Sequence, residues 1–226
     1  MREPLFDLSA EYEQMLNQGI RLSGEDRHFF LAGRVRYLAG ILPVNFQPKR
    51  ILDFGCGIGD TTAHLASVFP AAEVIGVDEA DKAVEHAAEQ FGSARVRFER
   101  VEDITSGYFD LVYVNGVFHH IPPGERIGAL NLIRRSLAPG GRLALFENNP
   151  WNPGARMVMK RIPFDRDAIM ISPSEAVRLV LDSGFQRPAL VRSLFYFPRF
   201  LGWLRATEAV LDRILLGAQY CVLAQK

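Results

Sequence analysis

The densest chemistry in this 226-residue chain is the run Asp53-Phe54-Gly55-Cys56-Gly57-Ile58-Gly59, which follows an apolar stretch and precedes a helix-forming one. Glycines at such a turn let the backbone bend tightly and let a ligand approach with no Cβ in the way. A dinucleotide site spaces its glycines G-x-G-x-x-G and docks a pyrophosphate on the following helix N-terminus. Here the third glycine comes one residue early, and Asp60 occupies the first turn, where a carboxylate would repel a diphosphate. Asp53, two positions before the first glycine, has no use in phosphate binding, but it suits an ammonium or sulfonium group. The loop is therefore expected to hold a cation-bearing ligand.

Two further acids follow at the ends of apolar runs. Asp78 closes Glu-Val-Ile-Gly-Val-Asp, and a carboxylate there can accept hydrogen bonds from the hydroxyls of a ribose lying across the strand ends. Bonds of this charge-assisted kind contribute roughly 1.5–3 kcal/mol each. Asp103, in Val101-Glu102-Asp103-Ile104, is placed to accept from an exocyclic amine, or simply to cap a helix. Amine, ribose and base would then meet three successive strand tips.

Positioning these acids requires strands and crossover helices in alternation. Apolar runs at 50–54, 73–78, 95–100, 109–114 and 141–147 are separated by 60–69, 80–91 and 124–138, each long enough for a helix. Such an order predicts a parallel sheet covered on both faces. Residues 1–46 read as amphipathic helix, with Leu31, Val35, Leu38 and Leu42 at helical spacing, and are expected to form a lid. Beyond 148 the pattern predicts a long loop to 172, a helix from Ser172-Pro173 to Gly184, a strand at 188–197, a helix at 200–215 and a strand at 218–225. The two last strands are expected to pair antiparallel with that helix inserted between them. The whole, 1–226, reads as one domain.

In this order and spacing the motifs resemble those of class I S-adenosylmethionine-dependent methyltransferases over residues 50–147. The glycine motif matches Asp53 to Gly59, the ribose acid Asp78 and the adenine-side acid Asp103. A fourth-strand block matches Phe109 to Val112 and Asn115-Gly116-Val117-Phe118-His119-His120-Ile121-Pro122, and the turn Leu137-Ala138-Pro139-Gly140-Gly141 matches the one before the fifth strand. The resemblance implies a Rossmann-like, doubly wound α/β sheet of seven strands, mostly parallel, with the last antiparallel. It implies S-adenosyl-L-methionine as cofactor, leaving as S-adenosyl-L-homocysteine. Asp53, Gly55, Cys56, Gly57 and Gly59 would hold it at the first strand, and Asp78 and Glu79 at the second. Asp103, Ile104, Asn115 and Gly116 would complete its site. Asp110 is expected to be structural, as it is in the family.

His119 and His120 are adjacent, so they point different ways. One is expected to face the methyl-transfer site as a base for an acceptor hydroxyl, and the other to pack behind it or make a structural hydrogen bond. Glu147 follows as a third catalytic candidate. Asn149, Trp151 and Asn152, in the Asn-Pro-x-Asn-Pro turn after the fifth strand, are candidates for acceptor contact, or else build a self-packed turn. Arg34 and Arg36 would reach the cofactor's carboxylate or lie on a solvated helix face. The aromatic cluster Phe195, Tyr196, Phe197, Phe200 and Trp203 reads first as core, and alternatively as a greasy acceptor cleft or a shallow lipid contact.

Composition bounds the rest. Lys plus Arg and Asp plus Glu are both 26, so no net charge argues for a nucleic acid or an anionic surface as partner. Amino-base methylation motifs of the Asn/Asp-Pro-Pro-Tyr type are also missing at Asn115-Gly116-Val117-Phe118. Two cysteines, Cys56 and Cys221, exclude a disulfide framework, and the strand endings of metal-dependent catechol-type enzymes are not found, so no metal is expected. The start, MREPLFDLSAEYEQML, lacks the pattern of a secretory signal, and no apolar run suffices for a membrane span, so a cytoplasmic protein is expected. The functional expectation is methyl transfer to a small molecule, at oxygen by the family's habit and the His pair. The alternatives are an accessory or sensor protein that binds S-adenosylmethionine or S-adenosylhomocysteine without turnover, and a nucleotide-dependent oxidoreductase.

Overall fold

A computed structural model describes residues 19–187 and 190–226. The first eighteen residues of the expected lid, and the first two of the strand expected at 188–197, lie outside them. Within the described part, the lid region holds a short 3-10 helix, Arg21–Ser23, and one α-helix, α1 (Arg27–Ile41), capped by Asp26, whose side chain accepts from the Phe29 N–H at 2.8 Å.

The strand and helix alternation then follows as β1 (Arg50–Phe54), α2 (Asp60–Val68), β2 (Glu73–Asp78), α3 (Asp81–Phe91), β3 (Val96–Arg100), β4 (Phe109–Asn115), α4 (Arg126–Ser136) and β5 (Leu137–Asn148). β5 starts four residues earlier than expected. The Leu-Ala-Pro-Gly-Gly turn is absorbed into the strand as an irregularity, with Phe109 opposite Leu137 but Leu111 opposite Arg142. After β5 comes a helix the sequence reading placed in a loop, α5 (Pro153–Arg161). Its signals were present: Asn152 caps it by accepting from the Ala155 N–H at 2.9 Å, and Pro153 opens it, where a missing N–H costs nothing. α6 (Pro173–Asp182), β6 (Leu190–Leu194) and β7 (Gln219–Gln225) complete the sheet.

The seven strands run in the order β3-β2-β1-β4-β5-β7-β6. All neighbours are parallel except β7, which pairs antiparallel with both β5 and β6. Consecutive residues of each strand serve opposite faces. Leu52, Val112, Val114, Leu143 and Leu145 pack with Leu130 and Ile133 of α4 and Ala176 and Val180 of α6. Ile51, Leu111, Tyr113, Ala144 and Phe146 pack on the other side with Val35 and Leu38 of α1 and Leu65 of α2. Both faces being covered explains why the strands read as continuous apolar runs. Asp110 is structural, as expected: its Oδ2 accepts from the backbone N–H groups of Lys49 and Arg50 at 2.9 and 3.0 Å, anchoring the entry to β1.

The segment expected as one helix at 200–215 is not one. A 3-10 helix spans Arg199–Thr207 with non-helical backbone at Leu201, and a single α turn follows at Glu208–Leu211. Broken in this way, it cannot present a continuous apolar face to the core. Phe200 and Trp203 are 75% and 77% exposed, so the core-packing reading fails for these two.

Candidate functional site

Strand order reverses between β1 and β4, because β2 continues on one side of β1 and β5 on the far side of β4. In open α/β sheets ligands bind outside the carboxyl ends of the strands at such a point. The loop after β1 and the loop after β4 both open into a cleft of about 1470 Å³ there.

The glycine loop is bent as its spacing predicted. Gly55, Gly57 and Gly59 all have positive φ, at 76°, 53° and 91°. Space divides their roles. A Cβ on Gly55 would lie 2.3 Å from Val117, and one on Gly59 within 2.9 Å of the Phe98 ring, so both are packed against protein. Gly57 has nothing within 4 Å of where its Cβ would be, and it lines the cleft. Asp78 holds this loop: its Oδ2 accepts from the Gly57 N–H at 2.8 Å and its Oδ1 from the Ala80 N–H at 3.0 Å.

Asp53 is buried on the cleft wall and accepts a 2.7 Å hydrogen bond from the Thr62 hydroxyl. Burial, reinforced by the charge of Asp78, pushes its carboxyl up to about 7 against the pull of Thr62 and Arg34. Arg34 is buried beside it, donating to the Tyr113 hydroxyl at 3.3 Å and to Gln219 Oε1 at 3.1 Å, whereas Arg36 is exposed. Of the two arginines considered, Arg34 alone is on the cleft wall. The Cys56 thiol, also on the wall, is pushed well above its ordinary range by burial and is no thiolate at neutral pH.

Glu79, Asn115 and Gly116 line the cleft as well, and Asn115 Oδ1 is a buried acceptor without a hydrogen bond. At the β3 end Val101 forms the wall. Asp103 is exposed on the short 3-10 turn Val101–Asp103, and Ile104 packs against the core; neither lines the cleft.

The two imidazoles do not point different ways as expected: their ring centroids lie 4.2 Å apart and both Nε2 atoms face Asp165, and only their burial differs. His119 is buried and donates from Nδ1 to Glu147 Oε2 at 2.6 Å, while Glu147 Oε1 accepts from the Phe118 N–H at 2.7 Å. His120 keeps about a third of its side chain exposed on the cleft wall. Between them stands a residue that sequence reasoning missed. Asp165 Oδ1 is 3.4 Å from His119 Nε2 and 3.2 Å from His120 Nε2, ionic contacts not aligned as hydrogen bonds. Burial alone would lower His119, but Glu147 and Asp165 outweigh it and raise it to about 10. Burial would likewise raise Asp165, yet the two imidazoles hold it below the usual carboxylate range. His119, His120 and Asp165 offer ligand-type atoms within 4.8 Å of one another, close enough for a metal ion. An imidazolium at His119, with one N–H facing each carboxylate, offsets part of the same negative charge.

Of the three candidates in the Asn-Pro turn, Asn152 alone lines the cleft. Asn149 is fully buried and does not line the cleft; its Nδ2 donates to Leu215 O and Gly217 O at 3.0 and 2.9 Å. Asn152 donates to Leu216 O at 2.8 Å and reaches the cleft edge, and Trp151 is exposed outside it. The two asparagines clamp the 199–217 segment to the end of β5. This is the self-packed turn that the sequence allowed.

Residues 52–143 match the family model described as a methyltransferase domain. A demethylmenaquinone methyltransferase of Thermus thermophilus is 34% identical over 139 residues, which are 59% of this chain and 62% of that protein. A trans-aconitate 2-methyltransferase of Deinococcus radiodurans is 36% identical over 97 residues, 42% of this chain and 36% of that one. The chain thus spans less than two thirds of the length of these relatives. In fold it is similar to a SAM-dependent methyltransferase from Archaeoglobus fulgidus, with a TM-score of 0.64 at 17% identity over 89% of this chain and 95% of the other.

Proposed function

We propose that this chain is a class I S-adenosylmethionine-dependent methyltransferase that transfers a methyl group to a small-molecule acceptor, with oxygen as the atom methylated. The observation that carries this reading is the glycine cradle between Asp53 and Asp78. It presents an open Gly57 and two carboxylates beside the orphan acceptor Asn115 Oδ1 at the end of β4, an acceptor set suited to a nucleoside that also bears an ammonium group. S-adenosylmethionine, when bound there, supplies a methyl already made electrophilic by its sulfonium.

The protein's task is then alignment and exclusion of water, which can lower a barrier by roughly 7–11 kcal/mol. His119, protonated, has no lone pair to accept a proton, and it offsets part of the negative charge of Glu147 and Asp165. His120, on the wall itself, is the group assigned to take the proton from an acceptor hydroxyl. No helix of the described residues is long and apolar enough to cross a membrane. Incubation with a labelled methyl donor and a panel of hydroxylated acceptors tests the reading. A labelled product is the expected result; tight S-adenosylhomocysteine binding with no product from any acceptor would instead mark an accessory or sensor protein.

Two pH effects follow. Asp53 must ionise to face a cationic ligand, so S-adenosylhomocysteine affinity is expected to fall as pH drops below about 7, with proton release visible as buffer-dependent heat. Asp53→Asn should flatten that profile. For stability, His119 has a folded pKa of about 10, above its ordinary 6.5. Its contribution is therefore complete below about 6.5 and lost as pH rises toward 10. Urea unfolding at both extremes should show wild type losing more stability than His119→Asn; equal losses would contradict the paired imidazolium.

A further inference from the structure

The cleft wall carries two chemically different sets of residues. Acids and backbone amides come from the ends of β1 and β2. Phe29, Phe30, Val158, Ile162 and Phe195 line the same cleft, and three exposed large apolar residues, Leu22, Met157 and Ile169, open into it. Its volume of about 1470 Å³ exceeds the roughly 300–1,000 Å³ of a site for one drug-sized ligand. A methyl donor held by the acids leaves room for a second molecule against these apolar residues.

Phe195 is built into this wall at a cost. Its φ is +61°, and it is the non-glycine residue with positive φ among those described. Strain of this kind persists only where the surroundings impose it. Here they do: the Tyr196 and Phe197 N–H groups both donate to Glu208 Oε1, at 3.2 and 3.1 Å, and Phe195 O accepts from the Ala218 N–H at 3.0 Å. The ring so aimed meets Phe30 and Phe29 at centroid distances of 5.0 and 5.9 Å. Gly33 makes room for it, since a Cβ there would lie 2.8 Å from the ring. The charges nearby are already engaged: Arg205 pairs with Glu25 at 2.8 Å and covers the Phe29 ring at 4.5 Å.

We infer that the acceptor has an apolar body, a hydrocarbon chain or ring, lying against Phe29, Phe30 and Phe195, with its nucleophilic oxygen directed toward His120. Phe195 sets how much of that body the cleft accepts. This rests on the methyl-donor reading above and specifies its substrate class.

The test is calorimetric titration of protein loaded with S-adenosylhomocysteine, using para-ethylphenol, para-butylphenol and para-hexylphenol. Affinity should rise by up to about fourfold per added methylene. Phe195→Gly keeps a backbone free to hold positive φ and removes the ring, and should weaken hexylphenol about tenfold while ethylphenol changes little. Gly33→Ala, favourable for the helix itself, pushes the ring into the cleft and should likewise penalise the longest chain most. Normal S-adenosylhomocysteine heat with flat affinity along the series, or variants that affect all three phenols equally, would overturn the inference and leave the donor reading intact. Absence of S-adenosylhomocysteine heat in the wild type would overturn both.

Discussion

Asp78→Ala is expected to weaken S-adenosylhomocysteine binding by at least about tenfold, equivalent to ~1.4 kcal/mol, in calorimetric titration. Two losses combine. The carboxylate anchors the cradle itself, taking hydrogen bonds from the N–H groups of Gly57 and Ala80, so without it the loop no longer holds its ligand-binding shape. Its remaining lone pairs are the ones proposed for a ribose, and each charge-assisted bond of that kind contributes roughly 1.5–3 kcal/mol. Asp78→Asn retains an acceptor oxygen and should lose less. Full affinity in a folded Asp78→Ala protein would remove Asp78 from the site.

The largest stability effect is expected at Arg126. Its side chain is 1% exposed, yet it carries a guanidinium. Nε donates to Ile121 O at 3.0 Å, Nη2 to Ile169 O at 2.7 Å, and Nη1 pairs with Glu175 at 3.2 Å. The Glu175 side chain is a third exposed and adds little, because solvent screens it. The two carbonyls are what matter: Arg126→Met would strand both, at a total of about 3 kcal/mol. In a chain of this size that lowers the melting temperature by about 6–12 °C. Ile169 N–H also donates to His119 O at 2.9 Å, so the same arginine holds the 163–169 segment against the His pair. Amide exchange there should quicken in the variant; an unchanged melting curve would show the carbonyls had found other donors.

The elements of the sheet were legible because their signals are local. A strand buried on both faces must be apolar throughout, and a crossover helix must fit between two such strands. Equally local is the cradle, where three glycines alternate because three successive turns of backbone need positive φ or bare space. α5 was also legible in principle, through Asn152 and Pro153, but two Asn-Pro steps in succession read more readily as turns.

The helix expected at 200–215 shows where local signals stop. Its apolar residues have helical spacing, but whether they meet a core depends on what the sheet leaves uncovered, and Trp203 finds solvent.

Sequence by itself determined the α/β order and the acids at the tips of β1 and β2, since each element is written in one short contiguous stretch. Tertiary structure alone decided the roles around the acceptor. Asp165 reaches His119 and His120 across 46 and 45 residues, and Glu208 reaches back to Tyr196 to hold Phe195 in a backbone conformation that phenylalanine avoids. No spacing rule encodes such contacts. They arise from the energy of burying charge and apolar rings together, which is fixed only when distant segments share the same space.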